Sequence, residues 1–162
     1  MDKPLCPELT LFLADDAATD RLGAWLAPRL QPGDCLLLEG PIGAGKSHLA
    51  RAIIRARLGR MEDVPSPTFT LVQSYEAEGV DIWHADLYRL GHPDEALELG
   101  LDEAFARAIT LIEWPERLGS AAPRDAIRLR LSACGEGREM HVSLPGRPAL
   151  AAELAAEWGT NV

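Results

Sequence analysis

Apolar positions along the chain change period from segment to segment, and the changes divide it into alternating strands and helices. Residues 9–13 predict a short strand, and Leu22, Trp25, Leu26 and Leu30 then recur at helical spacing. That spacing predicts a helix over 17–29, with Asp15 or Asp16 as its cap. Gln31-Pro32-Gly33 is a turn, and the unbroken run Cys35-Leu36-Leu37-Leu38 behind it reads as a strand buried on both faces. This run leads to Gly40, and the good helix formers that follow as far as Leu58 place Leu49, Ile53 and Ile54 on one side and Arg51 and Arg55 on another.

Pro65 and Pro67 forbid helix and mark a loop at 62–68. Strands at 69–75 and 80–87, either side of 76–79, predict a hairpin. Residues 93–108 predict one or two short helices broken at Gly100, and 109–112 a second buried strand. Two more strands at 126–132 and 140–144 and an alanine-rich helix at 148–158 complete the pattern. With no internal repeat, low-complexity tract or linker, the alternation predicts one layered α/β domain over 1–162.

A chain of 162 residues with 47% apolar content has enough material for one core without disulfides or a structural metal. Cys6, Cys35 and Cys134 are an odd number without C-x-x-C spacing, so neither a disulfide framework nor a zinc site is expected. The N-terminus has no signal-peptide pattern and no run is long enough to span a membrane, so a soluble, cytoplasmic protein is expected. A net charge of −9 disfavours unaided binding to polyanions such as nucleic acid or acidic membranes. The acidity is regional: residues 1–63 carry −1, 64–93 carry −3, 94–117 carry −5 and 118–162 carry zero. Of the 16 basic residues 14 are arginine, which makes Lys46 conspicuous.

Gly40-Pro41-Ile42-Gly43-Ala44-Gly45-Lys46-Ser47 satisfies G-x-x-x-x-G-K-[ST], the phosphate-binding loop, in the required strand-then-helix context. Glycines let the backbone turn its N–H groups inward around phosphate oxygens, and the helix that follows adds its positive end. Lys46 is a compact charge able to reach the β and γ phosphates, and the Ser47 hydroxyl is a hard oxygen suited to Mg²⁺.

Such a site also needs a carboxylate near the metal, usually at the end of a buried strand. Glu113 ends the run Ile109-Thr110-Leu111-Ile112 and is the preferred metal-side residue, while Asp86 ends another strand and suits supporting the metal's ligands or positioning a water; a solvated strand-end carboxylate with no ligand is the other option for each. Thr68, in Ser66-Pro67-Thr68-Phe69-Thr70, has a hydroxyl placed as in loops that sense a γ-phosphate, although an ordinary proline turn explains the same residues. Trp114 follows Glu113 and either shields the site, binds a partner or packs on Pro115. His84 and His92 have no ligand-like spacing and read as strand packing and turn polarity. Arg51, Arg55 and Arg57 read as a solvated helix face, with contact to tRNA or an acidic partner as the other option.

Six segments in order resemble the TsaE (YjeE) family of small bacterial P-loop ATPases required for threonylcarbamoyl-adenosine modification of tRNA. They are Thr19-x-x-Leu22-Gly23, the phosphate loop, the S-P-T-F-T-L-V string from Ser66, H-A-D-L-Y-R-L from His84, E-L-G-L-D-E from Glu98, and I-E-W-P-E from Ile112. The resemblance implies an α/β, P-loop NTPase-like three-layer domain with a mostly parallel central sheet and antiparallel additions. It implies ATP and Mg²⁺ as ligands, with the loop from Gly40 to Ser47, including Ile42, Gly43, Ala44 and Gly45, around the phosphates. Ser47 and Glu113 would serve the metal, and Thr68 and Asp86 would lie near the γ-phosphate. The family places its N-terminal segment close to the adenine, which here points to Leu11 through Thr19. The tail after Leu118 matches weakly, and within it Arg138 is read as a nucleotide or partner contact. Pro41 stands where an acidic residue is common and Ser47 where threonine is common; neither change removes the backbone cradle or the hydroxyl.

The activity implied is slow ATP hydrolysis that regulates or resets a tRNA-modifying assembly, with TsaD and TsaB as partners, TsaC in the same pathway, and tRNA met only through the complex. A small-molecule kinase is the alternative, disfavoured because 94–117 holds seven acids and only Arg107 and Arg117 where an arginine-bearing lid would be sought. A non-catalytic, nucleotide-gated interaction module would use the same residues.

Overall fold

The computed structural model describes residues 8–59, 64 and 71–158. Its elements run β1 (Glu8–Leu13), α1 (Asp16–Leu26), β2 (Cys35–Glu39), α2 (Lys46–Leu58), β3 (Val72–Ala77), β4 (Val80–Asp86), α3 (Asp94–Glu98), α4 (Leu101–Arg107), β5 (Ile109–Glu113), β6 (Ile127–Cys134), β7 (Gly137–Ser143) and α5 (Pro148–Trp158). Short 3-10 segments at Ala27–Arg29 and Pro115–Ala121 follow α1 and β5. The seven strands form one sheet in the order β1-β7-β6-β2-β5-β4-β3. Strands β6, β2, β5 and β4 are mutually parallel, and β7, β1 and β3 add antiparallel edges.

Successive residues of a strand face opposite ways, so β2 supplies both sides of the sheet. Leu36 and Leu38 join a core with Leu22 of α1, Leu49, Ile53 and Ile54 of α2, and Leu150 and Leu154 of α5. Cys35 and Leu37 join a second core with Ala96 of α3, Leu101 of α4, and Leu118. The fold is therefore a three-layer α/β sandwich whose parallel centre is covered on both faces.

The predicted helix over 17–29 ends at Leu26, because Pro28 lacks the N–H that another α-turn needs and the chain tightens into the 3-10 segment. Asp15 is the cap, accepting a hydrogen bond from the Ala18 N–H at 2.9 Å. The first hairpin turns over Glu78 and Gly79 alone, both at positive φ (54° and 82°), so β3 runs through residues predicted as turn. β6 and β7 also outrun their apolar stretches, pairing as far as Cys134 with Gly137. Ladder hydrogen bonds extend there past the buried positions from which the strands were predicted.

Helices α1 and α2 pack closely at Gly23, where a Cβ would lie 2.5 Å from the Ala52 Cβ and 3.1 Å from α2 backbone. Gly23→Ala should therefore cost about 1–3 kcal/mol from overpacking, against less than about 1 kcal/mol regained in helix propensity. Urea unfolding should show a lower midpoint at unchanged m-value, and an unchanged midpoint would mean the helices separate freely.

Burial pushes the Cys35 thiol up from 9.0 to about 12, so it stays protonated in the folded chain where an unfolded one would ionise. Its contribution to stability is complete below the unfolded value and is lost as pH rises from 9.0 toward about 12. At mildly alkaline pH a thiol reagent should label the exposed Cys134 and leave Cys35 unmodified until urea opens the core. Labelling of Cys35 at the rate of Cys134 under native conditions would contradict this.

Candidate functional site

Parallel strands direct their carboxyl ends to one edge, and side chains that carry chemistry collect there. β2 delivers the loop at Gly40, and β4 and β5 end in Asp86 and Glu113, which the register places directly opposite each other. These features border an open cleft of about 460 Å³ lined by Ile42, Gly43, Gly45, Lys46, Ser47, His48, Arg51, Asp86, Tyr88, Glu113, Trp114 and Arg138.

The loop is wound tightly enough to need its glycines. Gly45 caps α2 at φ 104°, and a Cβ there would lie 2.6 Å from the Arg138 Nε, so any side chain would strain the backbone and strike the guanidinium. Lys46, only 5% exposed, donates to the Gly40 carbonyl at 2.5 Å and lies 3.4 Å from the centre of the Trp114 ring. Burial pulls this ammonium below its ordinary range, while Glu113, Glu116 and Asp86 pull it back up.

Glu113 is 3% exposed and both of its oxygens are engaged. Ser47 Oγ donates to Oε1 at 2.7 Å, and His84 Nε2 lies 2.7 Å from Oε2. Asp86 Oδ1 accepts from the Tyr88 N–H at 3.1 Å. Trp114 adopts a left-handed backbone (φ 59°) directly after β5, and its ring meets Tyr88 at 5.0 Å between centroids. On the other flank Arg138, at the start of β7, donates to Thr19 Oγ1 at 2.9 Å and to Asp16 Oδ1 at 2.8 Å.

Ile42, Gly43, Gly45, Lys46, Ser47, Asp86, Glu113, Trp114 and Arg138 thus all line one cleft. Gly40 meets it through its carbonyl, and Ala44 is buried beneath the loop. Thr19 is buried and reaches the cleft through Arg138, whereas Leu11 is enclosed in the sheet core, away from the cleft. Thr68 lies outside the described residues. His84, predicted as strand packing, is instead wholly buried on Glu113; the signal was its place two residues before Asp86, on the same strand face. His48 and Tyr88 also border the cleft without having been singled out. Arg57 is half-buried and donates to the Ala27 and Leu30 carbonyls, tying α2 to the end of α1, a structural role the helix-face reading did not include.

A loop with inward N–H groups, a lysine and a hydroxyl is built for phosphate. No group of three His, Cys, Asp or Glu able to hold a metal occurs among the described residues. Mg²⁺ fits this setting, because it is commonly held by few protein oxygens together with substrate phosphates and water.

Residues 13–140 match the family model described as threonylcarbamoyl adenosine biosynthesis protein TsaE. The chain belongs to the TsaE family. The family member from Rickettsia felis is 38% identical over 80% of this chain and 76% of its own, and the one from Synechocystis 39% identical over 68% and 72%. Both carry the name tRNA threonylcarbamoyladenosine biosynthesis protein TsaE. The crystal structure of Bacillus subtilis YdiB superposes with a TM-score of 0.78 at 25% identity, covering 95% of this chain and 98% of its own. The TsaE fold seen here is thus a P-loop ATPase fold. No helix among the described residues is long and apolar enough to cross a membrane.

An ammonium binds phosphate only while protonated, so affinity for ADP should fall as pH rises through the Lys46 value, which lies below 10.5. A fluorescence titration from about pH 7 to about pH 11, which spans the ordinary lysine value, should show this decline, and Lys46→Arg, which stays charged, should flatten it. A flat wild-type profile would separate Lys46 from phosphate binding.

Proposed function

We propose that this chain is an Mg²⁺-dependent ATPase of the cytoplasm that serves the tRNA N6-threonylcarbamoyladenosine machinery as an accessory subunit, its ATP binding and slow hydrolysis regulating or resetting the TsaB–TsaD complex. The observation that carries the reading is the hydrogen bond from Ser47 to Glu113 at the mouth of a phosphate loop that also presents Lys46. Ser47 uses its proton on Glu113 and keeps its lone pairs for a cation. The cation would neutralise charge on the transferred phosphoryl group when bound. Lys46 would exchange the Gly40 carbonyl for β- and γ-phosphate oxygens. Asp86, which accepts from the Tyr88 N–H, would orient a water. Trp114 and Tyr88 form the wall that limits solvent on that side. Thr68 remains the proposed sensor of the γ-phosphate.

Arg138 is the proposed contact on the nucleoside side, held by Asp16 and Thr19. That tether suits binding better than a swing toward the γ-phosphate, so partner contacts would complete the site. Family membership supports the assignment to threonylcarbamoyladenosine formation, with TsaC supplying the activated adduct and tRNA met through the other subunits. The acidic surface of 94–117 fits a protein contact better than a nucleic-acid one.

Lys46→Ala should weaken ATP binding roughly 10- to 100-fold, as loss of charge-assisted hydrogen bonds does. Glu113→Gln should bind ATP normally but release phosphate about 100-fold more slowly. Addition of TsaB and TsaD should change the wild-type rate. Unchanged ATP affinity in Lys46→Ala would refute the reading, and transfer of phosphate to a small molecule would replace it with a kinase.

A further inference from the structure

His84 has no part in the phosphate loop and no exposure to the cleft. It sits on β4 two residues before Asp86, fully buried, with Nε2 2.7 Å from Glu113 Oε2. Its other nitrogen, Nδ1, is also buried and has no hydrogen-bond partner. A hydrogen on Nδ1 would be stranded without an acceptor, so Nε2 carries the proton and donates it to the carboxylate. The register pairs His84 with Leu111 and Asp86 with Glu113, so these four side chains share the sheet face that looks toward α2. A packing role alone would be served by an apolar residue, and a histidine with one unpaired nitrogen is a costly substitute for one.

We propose that His84 is the positioning residue of Glu113: its Nε2–H pins Oε2, so that Oε1 stays on the Ser47 hydroxyl and does not turn toward the Lys46 ammonium. Two donors hold the carboxylate plane, whereas one would leave it free to rotate toward the nearest cation. Lys46 lines the same cleft, and Glu113 is the first of the acids whose field acts on it. Loss of the imidazole donor would therefore harm the Ser47 end of the site, where a divalent cation is used, more than it harms phosphate binding. This inference rests on the Mg²⁺-ATPase reading.

The test compares His84→Gln, His84→Asn and His84→Leu in the full chain, each first checked by thermal unfolding. A glutamine amide nitrogen reaches close to the position of Nε2, whereas an asparagine nitrogen reaches only that of Nδ1. His84→Leu and His84→Asn should raise the Mg²⁺ concentration for half-maximal hydrolysis and lower kcat, each about 10- to 100-fold. ADP affinity measured in EDTA should stay within about threefold of wild type, and His84→Gln should recover both parameters to within about threefold. If His84→Leu fails to fold, the Gln and Asn pair decides, since both keep a polar head. Equal behaviour of Gln and Asn, or a wild-type Mg²⁺ response in folded His84→Leu, overturns the proposal while leaving the ATPase reading intact. A wild-type chain that hydrolyses no ATP with Mg²⁺ even when TsaB and TsaD are present overturns both.

Discussion

A carboxylate withdrawn from water must be given donors, and the organisation of this protein follows from how Glu113 receives them. One donor, Ser47, comes from the first turn of α2, and the other, His84, comes from the neighbouring strand β4. Both can arrive only if β4 and β5 pair in parallel with Asp86 opposite Glu113, and if α2 starts directly above the end of β2. The sheet register and the seat of the phosphate loop are thus tied to one buried charge. Breaking either contact would leave a carboxylate oxygen unpaired in a nearly dry setting, which is costlier than losing an exposed ion pair.

The opposite flank of the cleft is organised by Arg138. Its guanidinium bridges Asp16 and Thr19 of α1 and lies against Gly45, so the first helix, the phosphate loop and the β6–β7 hairpin meet at one cation. Lys46 forms the corresponding hinge on the other side, resting on the Gly40 carbonyl and under Trp114, whose left-handed backbone turns the indole back over the loop. The cleft therefore lies between two cations held by different elements, with the acidic pair Asp86 and Glu113 at its floor.

Much of this was legible in the residues. The run Cys35 to Leu38 announced a strand buried on both faces, and Leu36 and Leu37 do enter separate cores. Gly40 to Ser47 announced its own geometry, because a glycine pattern of that kind has few backbone solutions. Local signals failed where hydrogen bonding outran burial: β3 continued through the predicted turn, and β7 began ahead of its apolar stretch. His84 failed for another reason. Its place two residues before Asp86 puts it on the right strand face, but its partner Glu113 is 29 residues away, and local spacing cannot name a contact made across parallel strands.

The chain by itself determined the alternation of elements, the phosphate loop with Lys46 and Ser47, and the acids that end two buried strands, since each depends on residues close in sequence. Tertiary structure alone decided that Glu113 would be shared by Ser47 and His84, that Arg138 would clamp Thr19, and that Leu11 would lie in the core away from the cleft. The physical reason is the difference in range: helix periodicity and turn chemistry act over a few residues, whereas the partners of a buried polar group are set by strand order and register.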